Sequence, residues 1–213
     1  IGLIAGAVLW GLARKNAPPI MPQSKERMNS RKSNWGTHNA KSFSALMTIG
    51  IIDIMTRNAL LTFLPFLLLT KGISETQIGF ALTLLFAGGA AGKFACGLLA
   101  EWFGVIPMVV GTEILTSAGI LSLIWFSPSA IWVLLPFVGI VLNGTSSVLY
   151  ATVAEIISPM ARSRGYGLYY AITLGSGAVS PLIFGLLTDA LGLSFSIICA
   201  IFMVLLTLPL SRY

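Results

Sequence analysis

Gly97-Leu98-Leu99-Ala100-Glu101-Trp102-Phe103-Gly104 returns 88 residues later as Gly185-Leu186-Leu187-Thr188-Asp189-Ala190-Leu191-Gly192. The two octets share both end glycines, the Leu-Leu pair and an acidic fifth place. The register extends upstream, where Gly89-Ala90 falls on Gly177-Ala178 and Gly79 on Gly167. A fixed offset of this kind marks an internal repeat. Each octet closes a long apolar run, so the repeated unit is larger than the octet itself.

The runs around these octets fall at roughly 43–70, 77–99, 106–126, 130–155, 164–188 and 193–211. Each is close to the ~20 residues a membrane-crossing helix needs. Turn chemistry separates them: Lys71-Gly72-Ile73-Ser74, Gly104 to Pro107, Ser127-Pro128-Ser129, Ser158-Pro159 and Asp189 to Gly192. A transmembrane β-barrel would need shorter, alternating segments. Each octet therefore ends the middle span of a three-span unit. Three spans followed by three similar spans of opposite orientation form an inverted repeat. The expected fold is an all-α transmembrane half-bundle of six helices, built from two inverted three-helix repeats.

Composition agrees. Of 213 residues, 56% are hydrophobic and 9% charged. Soluble domains carry about 25% charged residues, so too few are present here to cover a globular surface in water. The same apolar content excludes intrinsic disorder. Cys96 and Cys199 lie in apolar stretches, His38 stands alone in a polar loop, and no metal, nucleophile or cofactor constellation appears. The expectation is a membrane protein that is not an enzyme and carries no cofactor.

The basic excess of +6 resolves by position. Seven Lys or Arg lie in the polar stretch 14–41: Arg14, Lys15, Lys25, Arg27, Arg31, Lys32 and Lys41. With that stretch on the cytoplasmic side, an even number of spans puts Arg162, Arg164 and Arg212 there too. Lys71 alone lies opposite. This is the positive-inside pattern, and it removes nucleic acid as the partner of the basic charge. The chain opens on thirteen apolar residues with no initiator Met. Thirteen residues of helix reach about 20 Å, short of the ~30 Å hydrocarbon core. Residues 1–13 are expected to end a truncated transmembrane helix, 14–42 to form a cytoplasmic central loop, and 43–213 to form the six-helix domain. The remainder of a longer protein, including an N-terminal half, is then the expected partner, with the bilayer around both.

On these residues the chain resembles the C-terminal half of a major facilitator superfamily transporter. That resemblance implies twelve helices in two six-helix halves joined by a long cytoplasmic loop. The family's loop motif runs Gly-x-x-x-Asp-Arg-x-Gly-Arg-Lys/Arg. Gly97, Glu101 and Gly104 match it, with Glu in place of Asp; Trp102, Val105 and Ile106 replace its basic positions. The stretch Glu155 to Gly165, with Pro159, Arg162 and Arg164, is similar to the family's link between helices ten and eleven. The resemblance implies alternating-access transport of a small solute. It also implies that Glu101, Glu155, Arg162 and Arg164 form a cytoplasmic gate; solvation of helix ends explains the same charges.

Charges inside the membrane are costly and face a cavity or a partner. Asp53 and Arg57 are spaced i, i+4 and share one helix face. Asp53 lies about ten residues into its span, roughly 15 Å deep. Desolvation disfavours the carboxylate while Arg57 favours it, a competition suited to a proton switch. A permanent ion pair, or an Arg57 that holds an anionic substrate, fits the same spacing. Lys93 and Glu113 lie at similar depth on adjacent spans, as an ion pair or with Lys93 snorkelling to the interface. Tyr166, Tyr169 and Tyr170 line either a cavity or the interface.

The function expected first is proton-coupled efflux of a drug or small organic compound, in a plasma or bacterial inner membrane. Organic-anion or metabolite uptake comes second. A non-transporting receptor or scaffold with the same fold is the alternative of another class.

Overall fold

A computed structural model describes residues 40–211. The expected truncated helix 1–13, and the loop 14–42 up to residue 39, lie outside the described residues. The last three residues of that expected loop, Ala40-Lys41-Ser42, already belong to the first helix.

Seven helices follow in order: α1 Ala40–Thr70, α2 Glu75–Phe103, α3 Val105–Trp125, α4 Pro128–Ile156, α5 Arg162–Leu191, α6 Leu193–Leu205 and α7 Thr207–Leu210. No strand occurs among the described residues. Six stretches are long and apolar enough to cross a membrane, with α6 and α7 together forming the sixth, Leu193–Leu210. That last span was expected to be unbroken. It breaks at Leu206 because Pro209 has no N–H to bond the carbonyl four residues back.

The long helices overrun the apolar windows read from sequence. α2 starts at Glu75 rather than 77, and α5 ends at Leu191 rather than 188. Hydropathy marks only the part in hydrocarbon, whereas the ends are set by local bonding. Before α2, the Ser74 backbone N–H donates to Gln77 Oε1 at 3.2 Å, a capping-box arrangement. After α3, Lys71 Nζ donates to the carbonyls of Ile124 and Phe126, 2.8 Å each. Lys71, the one basic residue at that end among the described residues, thus satisfies the orphan C-terminal carbonyls of a neighbouring helix.

The repeat is visible in the backbone. α4, α5 and α6 begin 88, 87 and 88 residues after α1, α2 and α3. The octets end alike: Gly104 has φ 86°, ψ 161° and Gly192 has φ 90°, ψ 158°. Each is the single residue between two helices. Its positive φ is open to glycine at little cost, which explains why both octets end on Gly. Packing follows the same exchange. α2 lies chiefly against α4, and α5 chiefly against α1; α1 also meets α4, and α3 meets α6.

Two apolar clusters show the direction of each helix. One joins Leu60 and Leu64 late in α1, Leu85 in α2, Ile120 and Leu123 late in α3, and Ile131 and Leu135 early in α4. The other joins Leu46 and Ile49 early in α1, Cys96 late in α2, Val109 early in α3, and Leu149 and Val153 late in α4. Successive helices therefore run antiparallel, and α4 runs opposite to α1. The second cluster lies at the end that carries Lys41, Arg162 and Arg164, here termed the basic end.

Small residues make the close contacts, as membrane packing requires. A Cβ on Gly88 would overlap the Pro136 carbonyl, and one on Gly92 the Ile140 carbonyl. On the repeat-related pair of helices, Gly177 lies against Asn58 and Ile54.

Candidate functional site

Between the two apolar clusters lies a buried polar layer. α1 contributes Asp53, Thr56 and Arg57; α3 contributes Thr112, Glu113, Thr116 and Ser117; α4 contributes Thr145 and Ser146; α5 contributes Thr173. Asp53 and Arg57 bracket Met55, the midpoint of α1. Leu60 and Leu64 belong to the cluster on one side of the layer, and Ile49 to the cluster on the other.

Asp53 and Arg57 form an ion pair through Oδ2 and Nη2. The expected i, i+4 pairing on one face is present. Their residues are 6% and 8% exposed, so the pair points into the six-helix bundle rather than out of it.

Glu113 is 1% exposed. Asp53 and Arg57 act on it electrostatically from α1. The expected Lys93–Glu113 pair does not form, because Lys93 lies on the exposed side of α2. The α2 residues turned into the bundle there are Gly92 and Cys96. Lys93 instead stands within electrostatic range of Asp53. Depth along two helices matched, but rotation about each axis did not.

Four buried polar atoms in this layer have no hydrogen-bond partner: Thr56 Oγ1, Arg57 Nε, Glu113 Oε1 and Thr116 Oγ1. Two are on α1 and two on α3. Buried polar groups are nearly always satisfied, so their concentration at one level marks a place for water, protons or conformational change. Beside them Thr145 Oγ1 donates to Thr112 Oγ1 at 2.9 Å, joining α4 to α3.

Tyrosines close the layer toward the basic end. Tyr169 is buried against Gly50 of α1. Tyr150 meets it edge-on, with centroids 5.8 Å apart. Both stand within electrostatic range of Arg57 and Asp53. The Tyr166 hydroxyl donates to the Tyr150 carbonyl at 2.8 Å, and Tyr170 remains exposed. Sequence reading had singled out Tyr166, Tyr169 and Tyr170 but not Tyr150.

Glu101, Glu155, Arg162 and Arg164 all lie at the basic end and are exposed. The structure brings no two of them together as an ion pair. Among the described residues, no three His, Cys, Asp or Glu side chains converge as metal ligands.

A family model for the Major Facilitator Superfamily matches residues 46–212. The match spans all six apolar helices and well over half of the chain. The chain belongs to the major facilitator superfamily. It is an integral, multi-pass membrane protein of a transporter family. No curated protein matches it. Within this superfamily chain the octet Gly97–Gly104 supplies the sharp turn from α2 to α3, and Glu101 projects from it at the basic end.

Proposed function

We propose that the chain forms one half of a proton-coupled secondary transporter that exports a small organic solute by alternating access. The observation that carries this reading is the Asp53–Arg57 ion pair, buried at mid-depth with Glu113 in electrostatic range. A buried ion pair is a poor stabiliser compared with apolar packing. It is well suited to a switch, since one proton on Asp53 cancels its charge and removes the partner of Arg57. Helices α1, α3, α4 and α5 all pack around that layer, so a change in its charge reaches both repeats.

The substrate cavity in this reading lies between this bundle and a second six-helix half. Two features support such a partner. Lys93 lies on an exposed face of α2, and a Lys facing hydrocarbon at that depth would be costly. Gly79 and its repeat-related Gly167 have open space where a side chain would stand, which suits the close approach of another helix. The basic end is cytoplasmic in this reading, by the positive-inside pattern, and the membrane is a plasma or bacterial inner membrane.

Flux tests it. The full-length protein in liposomes should release amphiphilic organic cations from a mixed panel faster when an inward-directed proton gradient is imposed. Flux that ignores the gradient, or accumulates organic anions instead, overturns the reading.

A further inference from the structure

A cavity of about 280 Å³ opens at the basic end between α1, α3, α4 and α7. Ile49, Val109 and Leu149 line it and are almost wholly buried. The polar layer begins one helical turn beyond each of them, at Asp53, Glu113 and Thr145. The cavity therefore stops on apolar side chains, short of the ion pair. Its polar lining is Ser42, Thr152, Glu155 and Ser211. Glu155 is the one charged residue on it.

The internal repeat sets these polar residues apart. At the 88-residue offset, Thr152, Glu155 and Ser211 fall on Leu64, Leu67 and Leu123. Those three leucines are buried together in the apolar cluster at the opposite end of the bundle. The fold thus accepts leucine at all three places and packs it. At the basic end the same places carry one carboxylate and two hydroxyls around open space. Position along the helices does not explain the exchange, because the repeat makes those positions equivalent.

The lining selects a cation. Thr152 Oγ1 donates to the Val148 carbonyl and Ser211 Oγ to the Leu208 carbonyl, at 2.8 Å each. Each hydroxyl proton is engaged in its own helix, and the oxygen keeps its capacity to accept. A carboxylate only accepts, whereas an ammonium group carries three donors and no acceptor. Thr152 and Glu155 are spaced i, i+3 and share one face of α4. Lys41, Arg162 and Arg164 lie at this end but not on the cavity lining. Size bounds the apolar part of a ligand. An apolar cavity of about 150 Å³ takes one benzene. By that measure about 280 Å³ takes roughly eleven non-hydrogen atoms, far fewer than a two-chain lipid has.

We propose that this cavity is a binding site for a small amphiphilic primary amine. Its apolar body lies among Ile49, Val109 and Leu149, and its ammonium group bonds Glu155, Thr152 and Ser211. Bound there, the amine joins α4 to the short α7 beyond the break at Leu206. The site lies inside one bundle, apart from the ion pair and from any solute path between two halves. It does not rest on the transport reading.

The test uses the full-length protein in phosphatidylcholine nanodiscs and tritiated 1-adamantylamine, a compact amine of about that size. Equilibrium dialysis should show saturable binding. The alcohol and the carboxylate of the same cage, 1-adamantanol and 1-adamantanecarboxylate, should compete about tenfold more weakly or worse, for want of a charge-assisted bond to Glu155. Glu155→Gln, a change at an exposed residue, should weaken binding by about tenfold or more. Thr152→Leu, which restores the repeat-related residue, should abolish it. Ile106 lies on the lining and is 51% exposed. In Ile106→Cys the amine should slow modification by N-ethylmaleimide, read at that residue by mass spectrometry. Equal competition by the carboxylate, wild-type affinity in Glu155→Gln or Thr152→Leu, or unslowed modification in Ile106→Cys overturns the proposal. Saturable binding with unslowed modification places the amine at another site, such as a solute path. Proton-coupled flux, measured separately, bears on the transport reading alone.

Discussion

Asn58 on α1 donates its side-chain amide to the Gly177 carbonyl on α5 at 2.8 Å. Pro181, four residues after Gly177, is the reason that carbonyl lacks a helical partner. One side chain thus repairs a proline break in a neighbouring helix, beside the ion pair. Ser180 reinforces the same contact by donating to the Met55 carbonyl at 2.6 Å.

Asn58→Ala should therefore destabilise the bundle by about 1–3 kcal/mol, the cost of an unsatisfied buried carbonyl. Thermal unfolding in detergent measures it. In a Pro181→Ala background the new N–H takes over the Gly177 carbonyl, and the Asn58→Ala penalty should shrink. Equal penalties in both backgrounds would separate Asn58 from the proline.

The ion pair should show strong non-additivity. Asp53→Asn and Arg57→Gln singly should each lower stability by roughly 3–5 kcal/mol, because each leaves a buried charge without its partner. The double change should cost less than the sum of the two. Denaturation of all three variants supplies the cycle.

Lys93 and Glu113 should behave independently. Lys93→Met should not rescue the folded yield lost in Glu113→Leu, since the side chains occupy different faces of the bundle. Fluorescence-detected size-exclusion chromatography reads the yield, and rescue would restore the pair that the structure separates.

Helix contacts should divide the glycines. Gly88→Leu meets the Pro136 backbone and should abolish folding of the α2–α4 pair, whereas Gly111→Leu meets open space and should leave the folded yield unchanged. The same chromatography distinguishes them.

Most of the fold was legible because hydrocarbon imposes one rule, long apolar helices, and the described residues obey it six times. The repeat was legible because Gly104 and Gly192 need a conformation that side chains resist, so sequence preserves the structural event. The break at Leu206 went unread, although Pro209 is its chemical cause. The Asp53–Arg57 pair was legible because both partners lie on one helix, where spacing fixes geometry. Glu113 was found but given the wrong partner, since no spacing relates rotation on α3 to rotation on α2. Thr56, Thr116 and Thr145 were missed for another reason. Hydroxyls in such helices commonly bond their own backbone, as Thr62 and Thr83 do here, and nothing in sequence marks the ones that do not.

In the proposed cycle the buried α1 pair couples solute movement to protons. The direct measurement is proton movement, read by a pH dye inside liposomes containing the full-length protein, when an organic-cation substrate from the flux panel is added. Wild type should move protons with the substrate. Asp53→Asn, inserted in equal amount, should move none. Proton movement in Asp53→Asn equal to wild type would show that the α1 pair does not carry the coupling.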